Sequence, residues 1–157
     1  MGILDYFDKE KRATKKVETN TKKLINPYRQ SEERMQCAGE LAEDGRPEAI
    51  YGLLRRFTIK ASNQVVDEDE KSQVYAMVVD LDEAAVPSLC KFIGQEDQLR
   101  YPLRALTEIV DHDAVLQHVG EALAAIGPDY VKNPEPKLHL IQHLAEQGHE
   151  GAAQYLT

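Results

Sequence analysis

The stretch of sequence that decides the fold reads MVVDLDEAAVPSL and covers residues 77–89. It contains Ala85, with a large apolar residue eight positions before it and an apolar residue directly after it. The same pattern surrounds three further alanines, Ala49, Ala114 and Ala152, so the four copies are spaced 36, 29 and 38 residues apart. A repeat of this length predicts supersecondary units that stack on one another, instead of a single globular core.

Capping and breaking residues divide each copy into two helices. In the first copy, Ser31 is a good helix start, Gly45 is a typical helix end, and Pro47 fits the first turn of the next helix. The acidic run at 67–70 would favourably open the next helix, whose apolar stripe is Val74, Met77, Val78 and Leu81. The later helices are predicted over residues 84–94, 98–110 and 113–126, and from 138 to 148 with a short stub at 150–157. Residues 58–70, with an acidic run at 67–70, form the longest predicted break, and either a binding loop or a spacer fits it. No segment alternates as a half-buried strand would, so the sequence predicts an all-α fold.

Each copy resembles a HEAT repeat, whose pattern is Leu-x-x-x-x-Asp-x-x-Ala-Val/Ile-x-x-Leu. Asp82 and Asp111 occupy the turn position of that pattern, while Arg46 and His149 replace the aspartate in the first and fourth copies. The resemblance implies an α-solenoid, a right-handed superhelix of about four helix pairs over residues 31–157, preceded by a basic amphipathic helical extension over residues 1–30.

The whole chain is similar to small bacterial HEAT-repeat proteins of unassigned function, which share the stretch PEAIYGLLRRF at residues 47–57. That similarity implies a cytoplasmic α-solenoid with no established activity. Because stacks of repeats usually bind other macromolecules and seldom catalyse reactions, we expect a non-enzymatic scaffold or adaptor that binds a partner through the concave surface of the stack. Members of this group continue beyond the position of Thr157, so we expect a truncated last repeat with an apolar edge, and a monomer or weak homodimer formed through that edge.

Charge is unevenly distributed along the 157 residues. The net charge is -8, but residues 1–30 carry eight Lys or Arg against four Asp or Glu. The acidic remainder would repel phosphate backbones, so we expect no nucleic-acid partner. The basic surface expected on the extension consists of Lys9, Lys11, Arg12, Lys15, Lys16, Lys22 and Lys23. A peripheral membrane adaptor that uses this surface is one alternative function, although the acids between these cations make a membrane partner the weaker expectation.

Second helices line the concave face of HEAT stacks, and this resemblance places Tyr51, Arg55, Arg56 and Lys91 there. We expect them to form a basic groove with an aromatic tip that attracts an acidic peptide or an acidic protein surface. The alternative is that these cations balance helix C-termini and pair with nearby acids.

The remaining candidate residues give only weak indications of metal binding or catalysis. His139, His143 and Glu146 share one face of a helix, either as a solvated outer face or as part of a metal site. Because no third ligand is evident, we predict no metal and no cofactor, and we expect Cys37 and Cys90 to be buried thiols. An enzyme or enzyme subunit of the HEAT-like lyase type is the other alternative function, and no catalytic residue is assigned for it.

Overall fold

The computed structural model describes residues 2–126 and 135–147. Within these ranges every regular element is a helix, which confirms the predicted all-α class. The chain divides into two compact units, Met1–Met77 and Val78–Thr157. The predicted boundary at residue 30 therefore falls inside the first unit, while the arrangement of the helix pairs as a superhelix stays a prediction.

The first unit contains three helices and most of a fourth. These are α1 (Ile3–Leu24), α2 (Ser31–Asp44), α3 (Pro47–Leu54) and α4 (Gln64–Leu81), and a 3-10 turn at Arg55–Thr58 prolongs α3. Helix α1 packs against both α2 and α3. The N-terminal extension is therefore part of the folded unit over the second half of α1.

Local sequence explains where these helices begin and end. Gly45 follows α2 with φ 71°, a left-handed conformation that glycine adopts at little cost. Pro47 occupies the first turn of α3, as predicted. The side chain of Asn63 accepts hydrogen bonds from the backbone N–H groups of Val65 (2.9 Å) and Val66 (3.1 Å), and so caps α4.

The predicted break over residues 58–70 is wrong for its second half. Helix α4 begins at Gln64, so the acidic run at residues 67–70 is helical. The cap at Asn63 explains this early start, and the acids lie in the first turns of a helix, where the helix dipole favours negative charge. The loop itself covers only residues 59–63.

Apolar side chains from all four helices form the core of the first unit. The fully or almost fully buried ones include Leu24, Ala38, Leu41, Ile50, Leu53, Leu54, Phe57 and Val74. Helices α1 and α3 approach very closely at Gly52, where an added Cβ would overlap the hydroxyl oxygen of Thr21. Any larger residue at position 52 would force the side chain of Thr21 to move.

The second unit contains α5 (Val86–Gln95), α6 (Arg100–Ile109), α7 (His112–Ile126) and α8 (Glu135–Gln147). Helix α5 packs against α6 and α7, and α7 packs against α8. The predictions for α6 and α7 are confirmed within two residues at each end. The turn before α5 contains Asp82 with φ 55°, a left-handed conformation that aspartate tolerates better than most residues.

Several sequence-based predictions concern residues that lie outside the described ranges. They are the turn residue His149, the anchor Ala152, the stub at 150–157 and the apolar edge at the C-terminal end.

Candidate functional site

A cluster of ionised side chains lies inside the first unit. Glu70 of α4 is fully buried, and its carboxylate accepts hydrogen bonds from Arg34 of α2 (Nη2 to Oε1, 2.8 Å) and from Arg56 (Nη2 to Oε2, 2.6 Å). Arg56 also reaches Asp67 (2.8 Å), and Lys71 pairs with the second oxygen of Asp67 (2.7 Å). Every member of this ionic cluster is less than 9% exposed.

The same cluster fixes two loops. Arg34 donates hydrogen bonds to the backbone carbonyls of Asn26, Pro27 and Arg29 in the loop between α1 and α2. Arg56 donates to the carbonyl of Ile59, and Asp67 accepts from the backbone N–H of Ala61, both in the loop between α3 and α4. Each charge has a counter-charge and hydrogen bonds. The cluster therefore has a structural role, which is to hold the two loops against the helices.

Each of the two carboxylates of the cluster has a pKa below its ordinary value. Burial acts to raise the pKa of Asp67, but hydrogen bonds from Lys71, the Ala61 N–H and Arg56 outweigh it and lower that pKa to about 2. Burial likewise opposes ionisation of Glu70, and hydrogen bonds from Arg34, Ser31 and Arg56 lower its pKa.

One member of the predicted basic groove is buried. Arg56 is wrong as a partner-binding residue, because its side chain is 0% exposed and paired with Asp67 and Glu70. Arg55 is exposed and Tyr51 is half-buried, both in the first unit, whereas Lys91 is exposed on α5 of the second unit. A docking role for Tyr51, Arg55 and Lys91 stays a prediction.

The first half of α1 presents the most accessible functional candidates. We call residues 3–16 the N-terminal arm, in which every residue is exposed except the half-buried Ala13; burial of the helix begins at Val17. Four large apolar side chains near its start are 56–80% exposed: Ile3, Leu4, Tyr6 and Phe7. The rings of Tyr6 and Phe7 contact each other edge to face, with centroids 6.1 Å apart.

The cations of the arm follow the apolar residues along the same helix. All five are exposed, and none forms an ion pair within the described part of the chain: Lys9, Lys11, Arg12, Lys15 and Lys16. Lys22 is exposed and Lys23 is half-buried where α1 ends. The arm therefore combines an unburied apolar tip with accessible positive charge.

On the face of α8 that carries His139, His143 and Glu146, the two histidines are half-buried and Glu146 is exposed, so the face is only partly solvated. His143 Nε2 lies 3.2 Å from Thr107 Oγ1 on α6. Among residues 2–126 and 135–147, no group of three His, Cys, Asp or Glu side chains is placed to hold a metal ion. Cys37 is buried as expected, Cys90 is only half-buried, and burial raises the pKa of both thiols.

No protein-family model matches the chain, and neither a curated protein nor a solved structure is significantly similar to it. The resemblance to HEAT repeats therefore stays a prediction. None of the described helices combines the length and the apolar character that crossing a membrane requires.

Sequence reasoning missed the ionic cluster, because charged residues are expected at the surface. Arg34, Arg56 and Glu70 each lie within a turn of buried apolar residues, but so does the exposed Arg55, so the sequence alone does not single out the members of the cluster.

Proposed function

We propose that this protein is a non-enzymatic adaptor and that its N-terminal arm inserts into an apolar groove of a partner protein. The observation that carries the proposal is the exposure of Ile3, Leu4, Tyr6 and Phe7 on a helix whose other half is anchored in the core. A helical segment placed in a groove is a recurring mode of protein recognition, in which apolar side chains one turn apart supply the contacts.

Energetics support a protein partner for this tip. Burying one large apolar side chain contributes about 1.5–3 kcal/mol. Four such side chains are adjacent here, and the free protein does not obtain the stabilisation that their burial in a partner would give. Short helical segments without tertiary contacts are also marginal in water. A partner groove would therefore bury the apolar tip and stabilise the helical conformation of the arm at the same time.

The charges of the arm indicate the chemistry of the groove. Lys9, Arg12 and Lys16 follow one another at i, i+3 and i+7, so they share one face of the helix. Asp5 and Asp8 precede the cations and Glu10 lies between Lys9 and Lys11, a mixture that suits a protein surface better than a uniformly anionic bilayer. We infer a groove with an apolar floor and a rim that carries Asp or Glu.

A photocrosslinking comparison tests this proposal. A photoreactive phenylalanine analogue replaces Tyr6 in one version of the full chain and Tyr28 in another, since Tyr28 is 95% exposed but lies in a loop outside the arm. We expect one dominant partner protein to crosslink from position 6 and not from position 28. Adding Leu4→Ser and Phe7→Ser should remove the crosslink, whereas Arg55→Gln should leave it unchanged.

Three results would overturn the proposal. Equal crosslinking from positions 6 and 28 would show that the arm is not the contact surface. Crosslinks only between copies of this chain would indicate self-association, and sedimentation would then show a dimer. Binding to anionic vesicles that is lost with Leu4→Ser and Phe7→Ser, without any crosslinked protein, would favour the peripheral-membrane alternative.

A further inference from the structure

A cleft in the second unit lies between α6 and α8, and its volume is about 470 Å³. Both helices contribute polar side chains to its walls, including Arg100 and Arg104 from α6 and His139 and His143 from α8. Leu103 supplies apolar surface. Volumes of this size are typical of sites for small molecules. We propose that this cleft binds a small organic anion through a carboxylate or phosphate group.

The contact between Thr107 and His143 fixes one side of the cleft. Thr107 Oγ1 donates its only proton to the backbone carbonyl of Leu103 at 2.8 Å. It therefore acts as the acceptor toward His143, whose Nε2–H must be the donor across 3.2 Å. Burial lowers the pKa of His143, against a weaker opposing effect of Glu146, so this ring is neutral at pH 7 and its tautomer is set.

His139 contributes a polar atom that lacks a partner. Its Nδ1 is buried, and it is the single buried side-chain nitrogen or oxygen in the described part of the chain without a hydrogen bond. An unsatisfied buried group of this kind costs about 1–3 kcal/mol. In the tautomer that carries its proton on Nδ1, this nitrogen donates to an anionic oxygen in the cleft once the imidazole turns about χ2, a torsion with broad energy minima.

The two arginines give the cleft its selectivity for anions. Arg100 and Arg104 are one helical turn apart on α6, and both are exposed. Guanidinium groups match the geometry of carboxylate and phosphate oxygens. The lining also includes one carboxylate, that of Glu146, which accepts a hydrogen bond from Gln142 Nε2 (3.0 Å) on its own helix. Apart from the histidines, the lining carries two positive charges against one negative.

Arg100 has a further role in shaping the cleft. Its guanidinium carbon lies 5.6 Å from the centroid of the Tyr101 ring, within the range of a cation–π contact. That contact limits the conformations of the arginine side chain. An anion therefore meets a guanidinium that loses less conformational freedom on binding than an unrestrained one.

The test is an NMR titration of the full chain with two probes, inorganic phosphate and succinate. We expect the imidazole nitrogen signals of His139 to shift and saturate with at least one probe at millimolar concentrations. Saturation with phosphate alone would assign a phosphate ligand, and saturation with succinate alone would assign a carboxylate. No saturable shift with either probe would overturn the proposal.

Charge-neutral variants separate this site from general attraction of anions. Arg100→Gln combined with Arg104→Gln should weaken binding by about tenfold or more, because charge-assisted hydrogen bonds are lost. The matched control is Arg55→Gln with Lys91→Gln, which removes two exposed cations elsewhere and should leave the affinity unchanged. An equal loss in both double variants would show non-specific binding and would contradict the proposal.

Discussion

The carboxylate of Glu70 lies 2.6 Å from the guanidinium of Arg56, and both side chains are completely buried. Arg34 binds the same carboxylate from the other side. One glutamate in α4 thus joins two arginines that hold two separate loops. Removing it would leave two buried cations with incomplete partners.

We therefore expect Glu70→Gln to be among the most destabilising single changes in the first unit. Breaking a buried ion pair by removing one partner costs about 3–5 kcal/mol, because an uncompensated charge remains inside the protein. Urea denaturation measures the free energy of unfolding. Glu32→Gln is the control, since Glu32 is exposed in the first turn of α2 and should cost less than about 1 kcal/mol.

Should Glu70→Gln fail to fold, Arg34→Lys gives a milder test. Lysine keeps the charge but cannot reproduce the two-pronged contact with Glu70 or the bonds to three carbonyls. We expect a measurable loss of stability. A loss no larger than that of Glu32→Gln would show that the ionic cluster contributes little.

Acid should weaken the first unit through Asp67. Its pKa is about 2 in the folded protein, below the value near 4 of an unfolded chain. The stabilisation from the ionised form is fully present above the unfolded value and is lost as the pH falls toward 2. The shift corresponds to roughly 2 kcal/mol.

A comparison of wild type with Asp67→Asn measures this contribution. The difference in the free energy of unfolding should be constant at neutral pH and should shrink between about pH 5 and pH 2. Protonation of Glu70 destabilises wild type and Asp67→Asn alike, so it does not change the sign of the difference in the free energy of unfolding between them. A difference independent of pH would contradict the assignment.

Two glycines should respond in opposite ways to replacement by alanine. Gly52→Ala places a Cβ against Thr21 at the crossing of α1 and α3, and overpacking of this kind costs about 1–3 kcal/mol. Gly39→Ala meets nothing within 4 Å in the middle of α2 and should stabilise the protein by about 0.5–1 kcal/mol. Chemical denaturation of both variants checks the signs, and two changes of the same sign would refute the steric argument.

Mild acid should destabilise the second unit through His143. Burial lowers the pKa of this imidazole in the folded protein, so the unfolded chain binds the proton more readily. Stability is therefore lost as the pH falls below about 6.5. Wild type should lose more stability than His143→Gln between pH 7 and pH 5, and parallel curves for the two proteins would contradict this.

The helix boundaries were predicted best where a capping or helix-breaking residue acts through its local backbone conformation. Gly45 and Pro47 act through their own backbone preferences, which no distant contact overrides, so the junction of α2 and α3 was predicted correctly. The start of α4 at Gln64 was missed although Asn63 is a strong cap, because the apolar periodicity of the helix begins only at Val74.

Arg56 shows why the site was harder to predict than the fold. In sequence it adjoins Arg55, and the two look equivalent at the end of a helix. Their different environments arise from the 3-10 turn and from Asp67 and Glu70, which are 11 and 14 residues further along the chain. Only the packing of α4 distinguishes the buried arginine from the exposed one.

The sequence separation between Arg34 and Glu70 also affects how the protein folds during its synthesis. These residues are 36 positions apart, so Arg34 emerges from the ribosome well before its counter-ion. During that interval α1, α2 and α3 exist in the nascent chain with a cation that cannot yet be neutralised at the place where it must be buried. The first unit therefore completes its fold only after α4 has been synthesised, and a pause in translation before residue 70 would prolong the exposure of its unfinished core.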